Sequence, residues 1–306
     1  MRFRLALGFV LAFGTSALAQ SHSLHAHRLA GGSYITVSEI VEYYQLGRSQ
    51  LVAERDHRDI QLSGVQHWLS APVLETRGQL WISSLDVLKT IDPVLRQGRS
   101  RNPTPIRLVV LDPGHGGSDT GARGRQSTEK VMTLDVAKRV ERYLEAAGLN
   151  TILTRKSDKT LGLSDRVDFA EAKRADLFVS IHFNSGGSAE GIETYCVPPA
   201  GKSSTASQRI FGGDTEASPN NRYDEKNVWL AHCVQRSALR ATGAPDRGVR
   251  RARFVVIRDA PCPAILIEGG FLSNRAEEQR LLTADYREKL AKAIADGILD
   301  YRRSTQ

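Results

Sequence analysis

Cysteine is scarce in this chain of 306 residues, which holds only Cys196, Cys233 and Cys262, and methionine is scarcer still, with two. Three cysteines are too few for a disulfide framework, and none stands in the C-x-x-C spacing of a zinc or redox site. One bridge with a thiol left over stays open to an exported protein, and otherwise a structural role is expected. Long apolar runs are missing too. The single candidate, Leu5 to Phe13, follows Arg2 and Arg4 and precedes the small-residue pattern Ala17-Leu18-Ala19, so residues 1–19 read as a secretory signal peptide. That run is shorter than the roughly 20 apolar residues a membrane span needs. The mature chain is therefore expected to be soluble and exported, to the periplasm or cell envelope, without stable membrane insertion. Acid is in deficit: 42 basic against 34 acidic residues give a formal charge of +8, and loss of Arg2 and Arg4 leaves +6. An exported basic protein points to an anionic envelope polymer or surface as partner, and not to nucleic acid.

What is present is enough chain for about two domains at roughly 100 to 200 residues each. Between residues 30 and 96, SYITV and QLWIS read as short strands, each followed by an amphipathic helix with Ser38 and Ser84 as N-caps. The halves echo one another at a spacing of about 48 residues. Residues 97–105, rich in Arg and Pro without apolar period, read as a linker. A second domain over 106–303 alternates expected strands (106–112, 150–155, 176–183, 191–197, 254–258, 264–268) with helices (128–147, 164–174, 224–242, 275–282, 284–302). Ser164 and Thr283 suit N-caps, Gly148 a helix-ending C′ position, and Asn274 with Glu277 a capping box. The alternation predicts an α/β fold, a mainly parallel or mixed sheet covered by helices on both faces, preceded by a small α+β N-terminal domain. The polar segment from Pro198 to Asn227 has no period and is expected to be a loop, disordered or bordering the site.

Three of the apolar runs end on residues that bind metals or move protons: LVVLDPGHGG near His115, LFVSIHFNS near His182 and AILIEGGF at Glu268. In open α/β sheets the ligand crevice lies beyond the carboxyl ends of such strands, so these side chains are expected at one rim. Pro113 stiffens the turn that carries His115. A phosphate-binding role for that turn is disfavoured, because the next helix starts some ten residues on and no P-loop lysine follows. Glu129 stands in the first turn of that helix, where it would suit the helix dipole in any case. Beside His115 and His182, however, it completes two imidazoles and a carboxylate, the set that holds zinc (Zn2+) in hydrolytic sites with one position open for water. Zinc lowers the pKa of such a water to about 7. Glu268 closes a strand expected to be buried on both faces, where an unpaired carboxylate is costly, so it needs a partner. It is assigned as general base for the water and then general acid for the leaving amine. Asn184 is read either as a substrate hydrogen bonder or as a turn residue. Arg247, Arg250, Arg251 and Arg253 form a basic cluster, read as a solvated loop, with contact to peptide carboxylates as the alternative.

The strings DPGHGGSDTGA, STEK, TRKSD, LFVSIHFNS, GIETY, DRGV and ILIEGGFLSN, in that order, resemble the zinc-dependent N-acetylmuramoyl-L-alanine amidases of bacterial cell walls. The resemblance covers Ile106 to Tyr301. It implies His115, Glu129 and His182 as zinc ligands, Glu268 as the catalytic residue, peptidoglycan as partner, and cleavage between N-acetylmuramic acid and the L-alanine of the stem peptide. Some relatives carry a helix that blocks the site until a protein activator displaces it, and the aperiodic Pro198–Asn227 segment predicts no such helix here. The N-terminal half-repeat resembles the small N-terminal domain of some copper amine oxidases, also found on cell-wall enzymes. That likeness carries no copper chemistry and implies a structural or wall-docking module. A non-catalytic wall-binding or activator protein, and a zinc peptidase cutting elsewhere in the stem, are the competing readings.

Overall fold

The computed structural model describes residues 23–47, 49–97, 105–205 and 215–305. The expected signal peptide and all but the ends of the expected linker lie outside the described residues. The N-terminal region runs β1 (His27–Leu29), β2 (Gly32–Thr36), α1 (Val37–Tyr43), β3 (Leu51–Ala53), β4 (Asp59–Leu62), β5 (Val65–Trp68), β6 (Leu74–Thr76), β7 (Gln79–Ser83), α2 (Ser84–Asp86), a π-helical turn Val87–Ile91 and α3 (Asp92–Leu95). The remainder runs β8 (Leu108–Pro113), α4 (Glu129–Ala146), β9 (Asn150–Leu153), α5 (Leu163–Ala172), β10 (Leu177–Asn184), β11 (Ile192–Cys196), a 3-10 turn Pro219–Tyr223, α6 (Asp224–Thr242), β12 (Asp246–Arg251), α7 (Val255–Arg258), β13 (Ala264–Phe271), α8 (Arg275–Leu282) and α9 (Ala284–Thr305).

The two expected N-terminal halves pair with each other. β2 lies antiparallel to β7, with Tyr34 opposite Ser83 and Thr36 opposite Trp81, in a four-stranded sheet of order β1-β2-β7-β6. Their helices are capped one or two residues earlier than expected, because the capping oxygen must reach a first-turn N–H. Thr36 Oγ1 accepts from Glu39 N at 3.1 Å while Glu39 Oε2 accepts from Thr36 N at 3.2 Å, and Ser83 Oγ accepts from Asp86 N at 3.1 Å. For the same reason α5 starts from Gly162 and not Ser164, its N–H held by Asp165 at 3.0 Å.

β3, β4 and β5 leave that small sheet and extend the large one, a mixed nine-stranded sheet of order β3-β4-β5-β12-β11-β13-β10-β8-β9. β9, β8, β10 and β13 are mutually parallel, and β11 turns against β13. One apolar core takes in Ile35, Ile40, Leu62 and Ile82 from the N-terminal region together with Val109, Val136, Ile181, Ile267 and Ile294.

The sheet's two faces are covered unequally. Alternate residues Val109, Leu111, Val179, Ile181, Ile265 and Ile267 point to the back, under the long helices α4, α6 and α9. At roughly 1.5–3 kcal/mol per fully buried large apolar side chain, this face carries most of the hydrophobic stabilisation. Val110, Phe178, Ala264, Leu266 and Tyr195 point to the front, under Ala170 of α5 and Val256 and Ile257 of α7. This apolar cover stops short of the strands' carboxyl ends, where the front positions become Asp112, Ser180, His182 and Glu268.

Several expectations fail here for identifiable reasons. Residues 255–258, apolar enough to read as a strand, form helix α7, because the chain must recross the front face between β12 and β13 and these side chains cover it. The arginine-rich stretch is no solvated loop. It is β12, paired with β11 on one side and with β5 through Val249 and His67 on the other. Cys196, Cys233 and Cys262 are all free and buried, so no bridge forms. β11 runs toward the end of the sheet opposite the rim, and the Pro219–Tyr223 turn of the Pro198–Asn227 segment lies there, where Asn220 Nδ2 donates to the carbonyls of Ala260 and Cys262 at 2.9 and 2.8 Å, whereas the Thr205 carbonyl accepts from Arg250. Gly148, at φ +71°, does end α4 as expected, and α6 spans the expected residues.

Candidate metal and hydrolytic site

The turn after β8 is fixed before any ligand is considered. Arg166 donates to Asp112 Oδ1 at 2.6 Å, to the Pro113 carbonyl at 2.8 Å and to the His115 carbonyl at 2.9 Å. Arg155 takes the Pro113 carbonyl at 3.0 Å and the Gly114 carbonyl at 2.9 Å. Buried carbonyls of an irregular turn need such donors, and buried guanidiniums need acceptors, so each satisfies the other. Neither arginine was singled out from sequence, although Arg155 sits in the TRKSD string. His115 is held at φ +60°, uncommon for a residue with a side chain. Gly114 is required by crowding, since a Cβ there would stand 2.2 Å from the His182 ring, and one at Gly121 would stand 2.4 Å from Glu129 Oε2.

Within this frame the three expected ligand residues meet. His115, Glu129 and His182 each offer one ligand atom, all within 4.8 Å of one another. Glu129 Oε2 lies 3.1 Å from His115 Nε2, and its Oε1 lies 2.8 Å from His182 Nδ1. Backbone N–H groups of Ala122 and Phe183 donate to the same carboxylate at 2.7 and 3.1 Å, orienting it. Burial favours the neutral form of Glu129, but the hydrogen bonds and charge of both imidazoles outweigh that and hold its pKa well below the ordinary range. Burial likewise opposes a charged His115, yet Glu129 and Asp119 together raise its pKa. Asp119 Oδ2 sits 2.8 Å from His115 Nδ1, an outer partner of the kind that would fix the imidazole if it held a metal, and it was not foreseen from sequence. The rings of His115 and His182 stand edge to face, 5.0 Å between centroids, with 24% and 17% of their side chains exposed, so the set opens to solvent.

Glu268 lies beside His182 in the parallel register of β10 and β13 and directly opposite Glu193 in the antiparallel register of β11. Its Oε2 is enclosed and has no hydrogen-bond partner among the described residues. Burial, and then the carboxylates of Glu129 and Glu193, push its pKa well above the ordinary value. An orphaned carboxylate oxygen next to two imidazoles and an ionised carboxylate is the arrangement a divalent cation would resolve. The donor set, N, N and O with an open side, fits zinc.

Glu193 contrasts with its neighbour. It accepts from Asn184 Nδ2 and the Tyr195 hydroxyl, each at 2.7 Å, and from Arg247 Nε and Arg250 Nη1 at 2.8 and 2.9 Å. Asn184 is thereby committed to Glu193, and its Oδ1 to Ser185 N, which accounts for it without substrate contact. Glu277 departs from its expected capping box. Asn274 Oδ1 does accept from Ala276 N and Glu277 N, but the Glu277 carboxylate takes Gly191 N and Phe271 N at 3.1 and 2.7 Å, pinning two rim segments.

The mixed α/β sheet and the sequence that forms it have counterparts among known proteins. The sequence model of a family described as N-acetylmuramoyl-L-alanine amidase matches residues 109–300, and the chain belongs to that family. It is 35% identical over 205 residues to N-acetylmuramoyl-L-alanine amidase LytC of Bacillus subtilis (strain 168), covering 66% of this chain and 37% of LytC. Against amidase AmiA of Escherichia coli (strain K12) it is 34% identical over 219 residues, 64% of this chain and 76% of AmiA. Among solved structures, the catalytic domain of CwlV, an N-acetylmuramoyl-L-alanine amidase from Bacillus (Paenibacillus) polymyxa var. colistinus, superposes with a TM-score of 0.54 at 37% identity, over 64% of this chain and 98% of that one. AmiC2 of Nostoc punctiforme gives a TM-score of 0.54 at 35% identity, over 64% and 97%. The chain thus spans nearly all of the solved domains but little over a third of LytC. The region before residue 109 lies outside the family match.

Proposed function

We propose that this chain hydrolyses the amide joining the lactyl group of N-acetylmuramic acid to the L-alanine of the peptidoglycan stem peptide, with His115, Glu129 and His182 holding zinc and Glu268 as the catalytic acid–base group. The observation that carries the reading is the convergence of those three ligand atoms beside an enclosed, unpartnered carboxylate. Zinc bound there would act as a Lewis acid on the scissile carbonyl and make a water acidic enough to attack at neutral pH. Asp119 holds His115 Nδ1 so that Nε2 faces Glu129. Glu268 takes the proton of the attacking water and returns it to the alanine nitrogen as the amide C–N bond breaks, a role suited to a carboxyl that burial makes a stronger base. Its Oε2, unpartnered, is free for that proton.

The wider reading follows from the substrate. Peptidoglycan lies outside the cytoplasm, so the leader at 1–19 is taken to export the chain to the periplasm or cell envelope, and the basic balance suits an anionic wall and not nucleic acid. Residues 106–303 act as the catalytic domain and residues 30–96 as a structural flank, supported by the strands β3–β5 that widen the catalytic sheet. Digestion of purified sacculi tests the activity. Glycan freed of peptide together with peptides starting at L-alanine is the expected outcome, and fragments in which peptide remains on glycan would overturn it.

A further inference from the structure

Glu193, one carboxylate, is enclosed by two guanidiniums, so the cluster beside Glu268 carries an excess positive charge. Arg250 has both amino groups engaged, Nη1 on Glu193 and Nη2 on the Thr205 carbonyl at 3.3 Å, with its Cζ 4.5 Å from the Trp68 ring and only its enclosed Nε without a partner among the described residues. Arg247 is not. Its Nε is tied to Glu193, its Cζ stands 4.8 Å over the Phe271 ring, and 32% of its side chain is exposed. No acceptor among the described residues meets its terminal amino groups. The backbone is held as tightly as the side chain, for Trp68 Nε1 donates to the Arg247 carbonyl at 3.1 Å and Gln66 N to Asp246 Oδ2 at 2.7 Å. A guanidinium fixed at Nε and stacked on an aromatic ring, with two amino groups turned to solvent, is a pre-organised fork for a carboxylate.

We infer that Arg247 forms a carboxylate subsite beside Glu268 and takes the free carboxylate of the acidic residue that follows L-alanine in the stem peptide. This rests on the amidase reading and adds the substrate class its site prefers. Two arginines for one carboxylate are otherwise unexplained, since one suffices to pair Glu193. Placement agrees with the assignment. With strands about 4.8 Å apart, Glu193 on β11 is one strand from Glu268 and Arg247 on β12 is reaching back from the next, while an extended peptide advances about 3.5 Å per residue. A leaving peptide that runs from Glu268 to the side away from His182 would bring its second residue within reach of Arg247.

Steady-state kinetics on two soluble N-acetylmuramoyl peptides, alike except that the residue after L-alanine carries a free carboxylate or a carboxamide, test this. The wild type should show a KM about tenfold to a hundredfold lower for the acid. Arg247→Gln should raise KM for the acid to that of the amide with kcat nearly unchanged, and Arg247→Lys should restore part of the preference. Equal kcat/KM for both peptides in the wild type, read without any variant, overturns the inference while leaving the amidase reading intact. So does a preference that survives in a folded Arg247→Gln, which would mean that Arg247 serves only to neutralise Glu193. Hydrolysis of neither peptide nor of sacculi by the wild type overturns the amidase reading itself.

Discussion

Two histidine pairs occupy this sheet, one on each face, and they behave oppositely. On the front, His115 and His182 stand edge to face with Glu129 between them, partly open to solvent. On the back, His67 of β5 and His232 of α6 stack 5.2 Å apart, joined Nε2 to Nδ1 at 3.0 Å and fully enclosed, with Trp229 stacked on His232. Among the described residues no carboxylate pairs with the second set. Burial, then His232 and Arg251, hold His67 well below its usual pKa, and burial with Arg236 and Arg240 lowers His232 to about 3. Two imidazoles in contact do not make a metal site. A place that could hold a cation also needs a buried anion between the rings and exposure beside them, and the front pair has both.

The sharpest way to break that contrast is at Glu268, the carboxylate proposed to act beside the front pair. Glu268→Gln should lower turnover of sacculi by about 10²–10⁴ while metal analysis still finds about one zinc per chain through the three intact ligands. A variant that lost zinc as well would move Glu268 into the ligand set. Next in size, His182→Ala should weaken zinc binding by at least about 100-fold, and Asp119→Ala by roughly 10- to 100-fold, read by competition with a chelator. His232→Ala, the matching change on the back, should leave zinc content untouched and cost about 2–4 kcal/mol in urea unfolding. Zinc loss on that substitution would erase the distinction between the pairs.

The smallest effect is the pH response. For His67 and His232 the folded pKa lies below the unfolded value, so the unfolded chain binds more protons in acid. The stability they contribute is fully present above about pH 6.5, the unfolded histidine value, and declines as pH falls toward 3. Urea midpoints of wild type and His232→Phe should converge across that interval, and a gap that stays constant with pH would show the pair to be inert.

How much of this was legible in advance follows the same division. His115, His182 and Glu268 end apolar runs, and buried parallel strands place their carboxyl ends at one rim, so the gathering could be anticipated from pattern. β12 could not. DRGVRR has no apolar run, because its front-facing Arg250 is buried against Glu193 and Trp68 and its back-facing Arg251 against Thr90 and Cys196, so that charge pairing replaces hydrophobicity. Arg155 and Arg166 read as ordinary surface cations until the turn carbonyls they hold are seen.

Local order alone therefore settled most strands and the long helices, and it singled out His115, Glu129, His182 and Glu268 as candidates, because periodicity and capping act over neighbouring residues. Tertiary structure decided the rest: that β5 of the N-terminal region joins the nine-stranded sheet, that Asp119 backs one histidine, and that Glu193 is satisfied while Glu268 Oε2 is not. These depend on which distant groups burial brings together. A charge removed from water takes its meaning from its partners, and partners chosen across the fold leave no period in the chain.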